Sequence, residues 1–232
     1  MEVIEESPEK LIFRMSANYS LANAIRRSLD EVPVLAFDEV EIFKNDSALY
    51  DEVLAHRIGL VPLETNKKMS ASTKVDLKLS KKGPCWVYSG DLKGGAKVVY
   101  DKMPLTLLEE GQELEFVGTA VLGKGMKHAK YSPGLMYYRD LWEVKSSKKE
   151  VEKIIQDSKG VIKPEKKGGG WICDLNETEL NDIISLDKEA AVESGEMVVF
   201  IESWGQLNAK DILKETISAL ESNLAEFEKS VK

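Results

Sequence analysis

The stretch "LANAIRRSLDEVPVLAFDEVEIFKNDSALYDEVLAHRIGLVPL", Leu21 to Leu63, decides the fold because it holds three elements in succession. Leu21, Ile25 and Leu29 recur every four residues with Ala22 beside them. That spacing predicts a helix with one apolar stripe, capped by Asn18 or Ser20 and stopped by Pro33. "VPVLAFDEVEIFKND" alternates like a strand, but its apolar set changes sides near Asp38, from Leu35 and Phe37 to Val40 and Ile42. A long strand with an irregularity at Asp38 is expected. "YDEVLAHRIGLVP" predicts a short helix, with Asp51 and Glu52 at its amino end and Val53, Leu54 and Ile58 as its apolar face. His56 and Arg57 fall in its last turn, where cations are favoured. Gly59 is expected in the left-handed position past the helix, and Pro62 prevents resumption.

Working outward, "VIEESPEKLIFRMSA" reads as a hairpin turning at Pro8, with Leu11, Phe13 and Met15 on one face. "GEMVVFIESWG" is an apolar strand of the kind found inside a sheet. From Met69 to about Gly170 the texture changes to many glycines and short alternating runs such as "TKVDLKL" and "AKVVY", which predicts a second, mostly β unit. "SKKEVEKIIQD" and "NETELNDIIS", the latter capped at Asn176, have helical patterns. At 232 residues, one domain carrying a large insertion is the natural expectation.

The last helical pattern is capped by Asn208 and has Asp211 in its first turn. Leu213, Ile217, Leu220, Leu224, Phe227 and Val231 then follow at spacings of four and three. A period near 3.5 is the spacing at which one helix packs along another. Glu215, Glu221, Glu226 and Glu228 occupy the other side. The seam could cover the chain's own sheet. Its six positions exceed what a small two-part chain readily buries, which favours packing against another chain.

A net charge of −8 argues against a direct grip on nucleic acid unless a local basic patch exists. Eight lysines and no arginine lie between Lys145 and Gly170. Lysine runs beside glycines are more often solvated loops than phosphate-binding surfaces. No apolar run reaches the roughly 18 residues of a membrane helix, and "MEVIEESPEK" is not a secretion signal, so a cytoplasmic location and no membrane contact are expected. Cys85 and Cys173 stand alone, without C-x-x-C spacing. His56 and His128 belong to no zinc or catalytic pattern, and neither a phosphate-binding P-loop nor a G-x-S-x-G elbow is present. An enzyme using His56 or His128 as acid or base, and a nucleic-acid module using the 145–170 lysines, are the competing readings of a chain better suited to binding a partner.

The Leu21–Leu63 stretch resembles the hallmark segment of the D-type subunits of archaeal DNA-directed RNA polymerases. It is also similar to the third-largest subunit of eukaryotic RNA polymerase II and, more distantly, to the amino-terminal domain of the bacterial α subunit. "GKGMKHAKYSPG" (Gly123 to Gly134) and "FIESWGQLNAKDIL" (Phe200 to Leu213) agree in the same order. The resemblance implies an α+β, two-domain fold. A discontinuous dimerisation domain would span 1–47 and 195–232, and a β-rich insert 48–194. It implies a non-catalytic subunit of the DNA-transcribing polymerase that dimerises with a small subunit L. The pair then docks the second-largest catalytic subunit and small zinc-bearing subunits, meeting DNA only through the complex. The interface expected from it comprises Leu21, Ile25, Arg26, Arg27 and Leu29 on the first helix, His56 and Arg57, Lys127 and His128, Trp204, and Leu213, Ile217, Leu220, Leu224 and Phe227. Some relatives hold an iron–sulfur cluster or zinc in a cysteine-rich unit. With only Cys85 and Cys173, neither cofactor is expected here.

Overall fold

The computed structural model describes residues 1–66 and 69–231. Strands β1 (Glu2–Glu6) and β2 (Lys10–Ser16) form the expected hairpin. Helix α1 (Tyr19–Ser28) starts at Asn18, whose side chain accepts from the Leu21 amide, and a 3-10 turn (Leu29–Glu31) carries the chain to Pro33. Next come β3 (Val34–Asn45) and α2 (Asp51–Gly59). Six strands follow: β4 (Lys74–Lys82), β5 (Cys85–Tyr88), β6 (Lys93–Gly94), β7 (Pro104–Leu108), β8 (Glu113–Gly123) and β9 (Gly134–Val144). Then come α3 (Lys149–Gln156), β10 (Glu165–Lys167), β11 (Gly170–Cys173), α4 (Glu177–Leu186), β12 (Ala191–Ser203) and α5 (Ala209–Val231).

The strands make a six-stranded antiparallel sheet, in the order β1-β2-β12-β9-β11-β10, and a four-stranded one, β3-β8-β4-β6. β5 and β7 pair separately. β12 is apolar without interruption from Met197 to Ile201 because both of its faces are covered there. Met197, Val199 and Ile201 pack with Leu11, Phe13, Ala22, Leu29 and Ile212 beneath α1 and α5. Val198 and Phe200 point the other way, to Ile12, Leu141, Ile162 and Ile172. The four-stranded sheet has its own core, in which Leu35 and Phe37 of β3 meet Leu54 and Ile58 of α2 and Leu77 of β4. A third cluster, with Val151 and Ile155 of α3, Cys173 of β11 and Ile183 of α4, closes the 144–191 region. The fold is α+β, as the resemblance implies.

The sheets divide the chain at other places than the expected boundaries at 47/48 and 194/195. β3 belongs with the four-stranded sheet, because it pairs with β8 from Val34↔Gly123 to Asn45↔Leu114 and its inward side chains fill that core. β9, β10 and β11 belong to the six-stranded sheet, beside β12. Residues 34–123 are therefore one unit, and the segments on either side together form the other. Val34, Ala36 and the fully buried Tyr131 pack at the junction, with Leu207 against them.

Three local expectations are corrected. Gly59 is not left-handed: it lies inside α2, and the helix is capped by Leu60 in a right-handed helical conformation. The backbone closes instead by bonds from the Leu60 and Val61 amides to the carbonyls of Arg57 and Ile58. "AKVVY" contributes only a bridge, Leu63↔Val98, rather than a strand. Val53 and Leu21 are exposed, since Leu54 and Ile58 already fill the α2 contact and Ala22 takes the buried position on α1.

Candidate subunit interface

α5 is 23 residues long, and its buried residues all lie in its first part. Ala209, Ile212, Leu213 and Thr216 are buried at helical spacing against the sheet and α1. From Glu221 onward every described side chain is exposed. Along the seam, Leu213 is 7% exposed, Ile217 39% and Leu220 half-buried, whereas Leu224 is 60%, Phe227 68% and Val231 70% exposed. About ten terminal residues, some 15 Å of helix at ~1.5 Å per residue, thus project with their apolar stripe uncovered. The Asn223 amide donates to Glu31 (2.7 Å), fixing the direction in which α5 leaves the core.

Beside this helix lies an open cleft of about 400 Å³, lined by Arg26, Arg27, Asp30, Glu31, Met126 and Leu220. It brings the arginine pair of α1, the 124–131 loop and the α5 seam to one place. Both arginines are exposed; Arg26 donates to Asn23 (2.8 Å), its neighbour on the same helix. Leu29 and Leu213, both named as interface residues, lie instead in the chain's own core. Trp204 is 44% exposed and lines neither this cleft nor the one described next. Its amide donates to the Pro133 carbonyl (3.1 Å).

The second cleft joins residues that the sequence keeps 72 positions apart. His56, at the end of α2, and His128, in the loop before β9, line one recess of about 160 Å³ together with Phe37, Asp38, Gly59, Leu60 and Lys130. The bulge in β3 builds it. Phe37 opposes Ala120 and Glu39 opposes Thr119, so Asp38 is left unpaired in the ladder and its carboxylate turns toward the loop. It accepts a hydrogen bond from Tyr131 Oη (2.9 Å) and lies 3.4 and 3.8 Å from Lys130 and Lys127. The Tyr131 hydroxyl, and then the lysines, hold the Asp38 carboxyl below its ordinary range, while desolvation opposes them. Burial, followed by this bond, pushes the Tyr131 phenol up. Lys127 and Lys130 also sit over the Tyr131 ring. Ser132 Oγ and the Met126 amide both donate to Asp30, so the basic loop is anchored at two points.

Arg57 does not enter this recess. Its guanidinium donates to the Leu105 carbonyl of β7 (2.9 Å) and braces α2 within its own unit. The roles of Asp38, Gly59, Leu60 and Met126 escape a reading of spacing alone. The one signal in the sequence was the parity switch at Asp38, which marks a bulge but not what the bulge aims at.

No group of three His, Cys, Asp or Glu side chains able to hold a metal exists among the described residues. Cys85 and Cys173 belong to different cores. The eight lysines of 145–170 are spread over α3, β10 and the segments that flank α3. Lys145 pairs with Glu143, Lys167 with Glu196, Lys148 donates to the Leu186 carbonyl, and Lys166 lies over Trp171. Among the described residues, no helix is long and apolar enough to cross a membrane.

Comparison with known proteins supplies the context of these surfaces. Residues 29–137 match the RNA polymerase Rpb3/RpoA insert domain, a span that contains the whole four-stranded sheet. The chain is 42% identical to the DNA-directed RNA polymerase subunit Rpo3 of Thermococcus kodakarensis over 63% of its own length. That match spans 61% of the Thermococcus protein. It is 33% identical to Rpo3 of Methanothermobacter thermautotrophicus, over 93% of this chain and 92% of the relative. It is 31% identical to Rpo3 of Halobacterium salinarum, over 91% and 88% respectively.

Proposed function

Because the chain belongs to the Rpo3 family of DNA-directed RNA polymerase subunits, we propose that it is a non-catalytic assembly subunit of that polymerase. It forms a heterodimer with a small subunit of the L type, and the pair docks the second-largest catalytic subunit and small zinc-bearing subunits. It contacts DNA only through the complex and carries no cofactor of its own.

The observation that carries this reading is the uncovered stripe of α5. Ile217, Leu224, Phe227 and Val231 are exposed on a helix whose other end is anchored in the core. A lone soluble protein has no use for such a surface, and a second chain laid along it removes the apolar area from water. The exposed Leu21 extends the apolar surface onto α1. The arginine pair and the basic loop provide the polar rim that surrounds the buried centre of an interface. The stand-alone nucleic-acid reading is not favoured, because the 145–170 lysines are dispersed and several of them are engaged within the chain.

Co-expression with the small subunit tests the proposal. A one-to-one complex is expected, with the chain alone self-associating. Replacing Leu224 and Phe227 together by Glu should abolish the complex while leaving the melting temperature of the isolated chain unchanged. A stable monomer that ignores the small subunit would overturn the assignment.

A further inference from the structure

The recess between α2 and the 124–131 loop contains a glycine that this chain does not need. Gly59 is helical, and it is not among the glycines with positive φ. A Cβ built on it meets no atom within 4 Å. Neither conformation nor crowding within the chain calls for glycine, which is poorer than alanine inside a helix. The use that remains is clearance for something approaching from outside.

The walls around Gly59 have a definite chemistry. His56, His128 and Lys130 line them and Lys127 stands nearby, against the single carboxylate of Asp38. That carboxylate already accepts from Tyr131 and from Lys130. His128 Nδ1 accepts the Lys130 amide, so in the neutral ring the proton resides on Nε2, as a donor. On a chain of net charge −8 this is a locally basic recess. At about 160 Å³ it is smaller than the ~300 Å³ at which cofactor and drug-sized sites begin, and it suits an inserted side chain.

We propose that this recess is a socket for a carboxylate-bearing segment of another polymerase subunit, seated between His56 and His128 with its backbone passing over Gly59. The proposal rests on the assembly role above and gives it a second contact, separate from the α5 seam. The basic groups attract the carboxylate, and the missing Cβ lets the incoming chain come close. Exposed Leu60 offers it apolar contact at the rim.

Reconstitution of polymerase from purified subunits tests the socket. Gly59→Leu fills the clearance and should lower recovery of the large subunits on the heterodimer by about tenfold or more, with an unchanged melting temperature. The pair His56→Glu and His128→Glu should show a similar loss, whereas His56→Lys with His128→Lys should stay within about threefold of the unmodified chain. Normal recovery with Gly59→Leu, or equal losses in the Glu and Lys pairs, overturns the socket. Failure of the unmodified chain to enter any complex overturns the assembly role itself, so the two failures are told apart.

Discussion

Single residues show where polar groups hold this chain together. The Asp38 carboxyl lies below its ordinary range chiefly because Tyr131 donates to it. A carboxyl lowered on folding stabilises fully above its unfolded value, near 4, and loses that contribution as pH falls through the lower folded value. Tyr131→Phe should therefore cost about 1 kcal/mol at neutral pH. Urea unfolding should show the gap to the unmodified protein narrowing below about pH 4, and a gap that stays constant there would sever the link to Asp38. The two thiols offer a second case. Cys173 is fully buried, and burial pushes its thiol up to about 12. The thiolate is the reactive form. A thiol reagent at neutral pH should label the partly exposed Cys85 in the native protein and reach Cys173 only on unfolding. Native labelling at both sites, followed by mass spectrometry, would contradict the packing around Cys173. Asp174, also fully buried, lies 2.6 Å from Arg139 Nε and accepts from the amides of Val161 and Ile162. That single carboxylate ties the 157–162 loop to the sheet.

Elements are decided by which face each one buries. α2 reads in sequence as a helix with three apolar contacts, yet only Leu54 and Ile58 reach the core and Val53 stays exposed. Ile58→Ala should cost about 3 kcal/mol and Val53→Ala well under 1 kcal/mol, read from denaturant midpoints. Similar costs at both positions would mean that α2 is not seated as described. The same distinction runs along α5, where a repeat that looks uniform in sequence divides into a buried end and a free one. Periodicity reports which residues share a face. It does not report what lies opposite, because that depends on strands distant in sequence.

At the scale of the whole molecule, the two units are joined through Tyr131, Val34 and Ala36, and the surfaces we propose for other chains lie on α5 and around the 124–131 loop. Cys85 and Cys173 serve separate cores, so metal analysis of the purified protein should find neither iron nor zinc in stoichiometric amount. A stoichiometric metal would overturn this expectation. The elements themselves follow from local chemistry. The cap at Asn18, the stop at Pro33, the bulge at Asp38, the hairpin at Pro8 and the capping box at Asn176 are short-range effects, legible in the residues that produce them. The sheet partition was not legible, since β3 chooses β8 across some 70 residues through a core that neither strand encodes alone. Nor was the meeting of His56 with His128, or the loss of Leu29 and Leu213 to the interior. By itself the sequence determined the helices, the first hairpin and the strands β3 and β12, and that an apolar helical seam exists. Only the tertiary structure decided how much of that seam stays uncovered and which distant side chains share a recess, because burial is a property of the assembled neighbours and not of any stretch read alone.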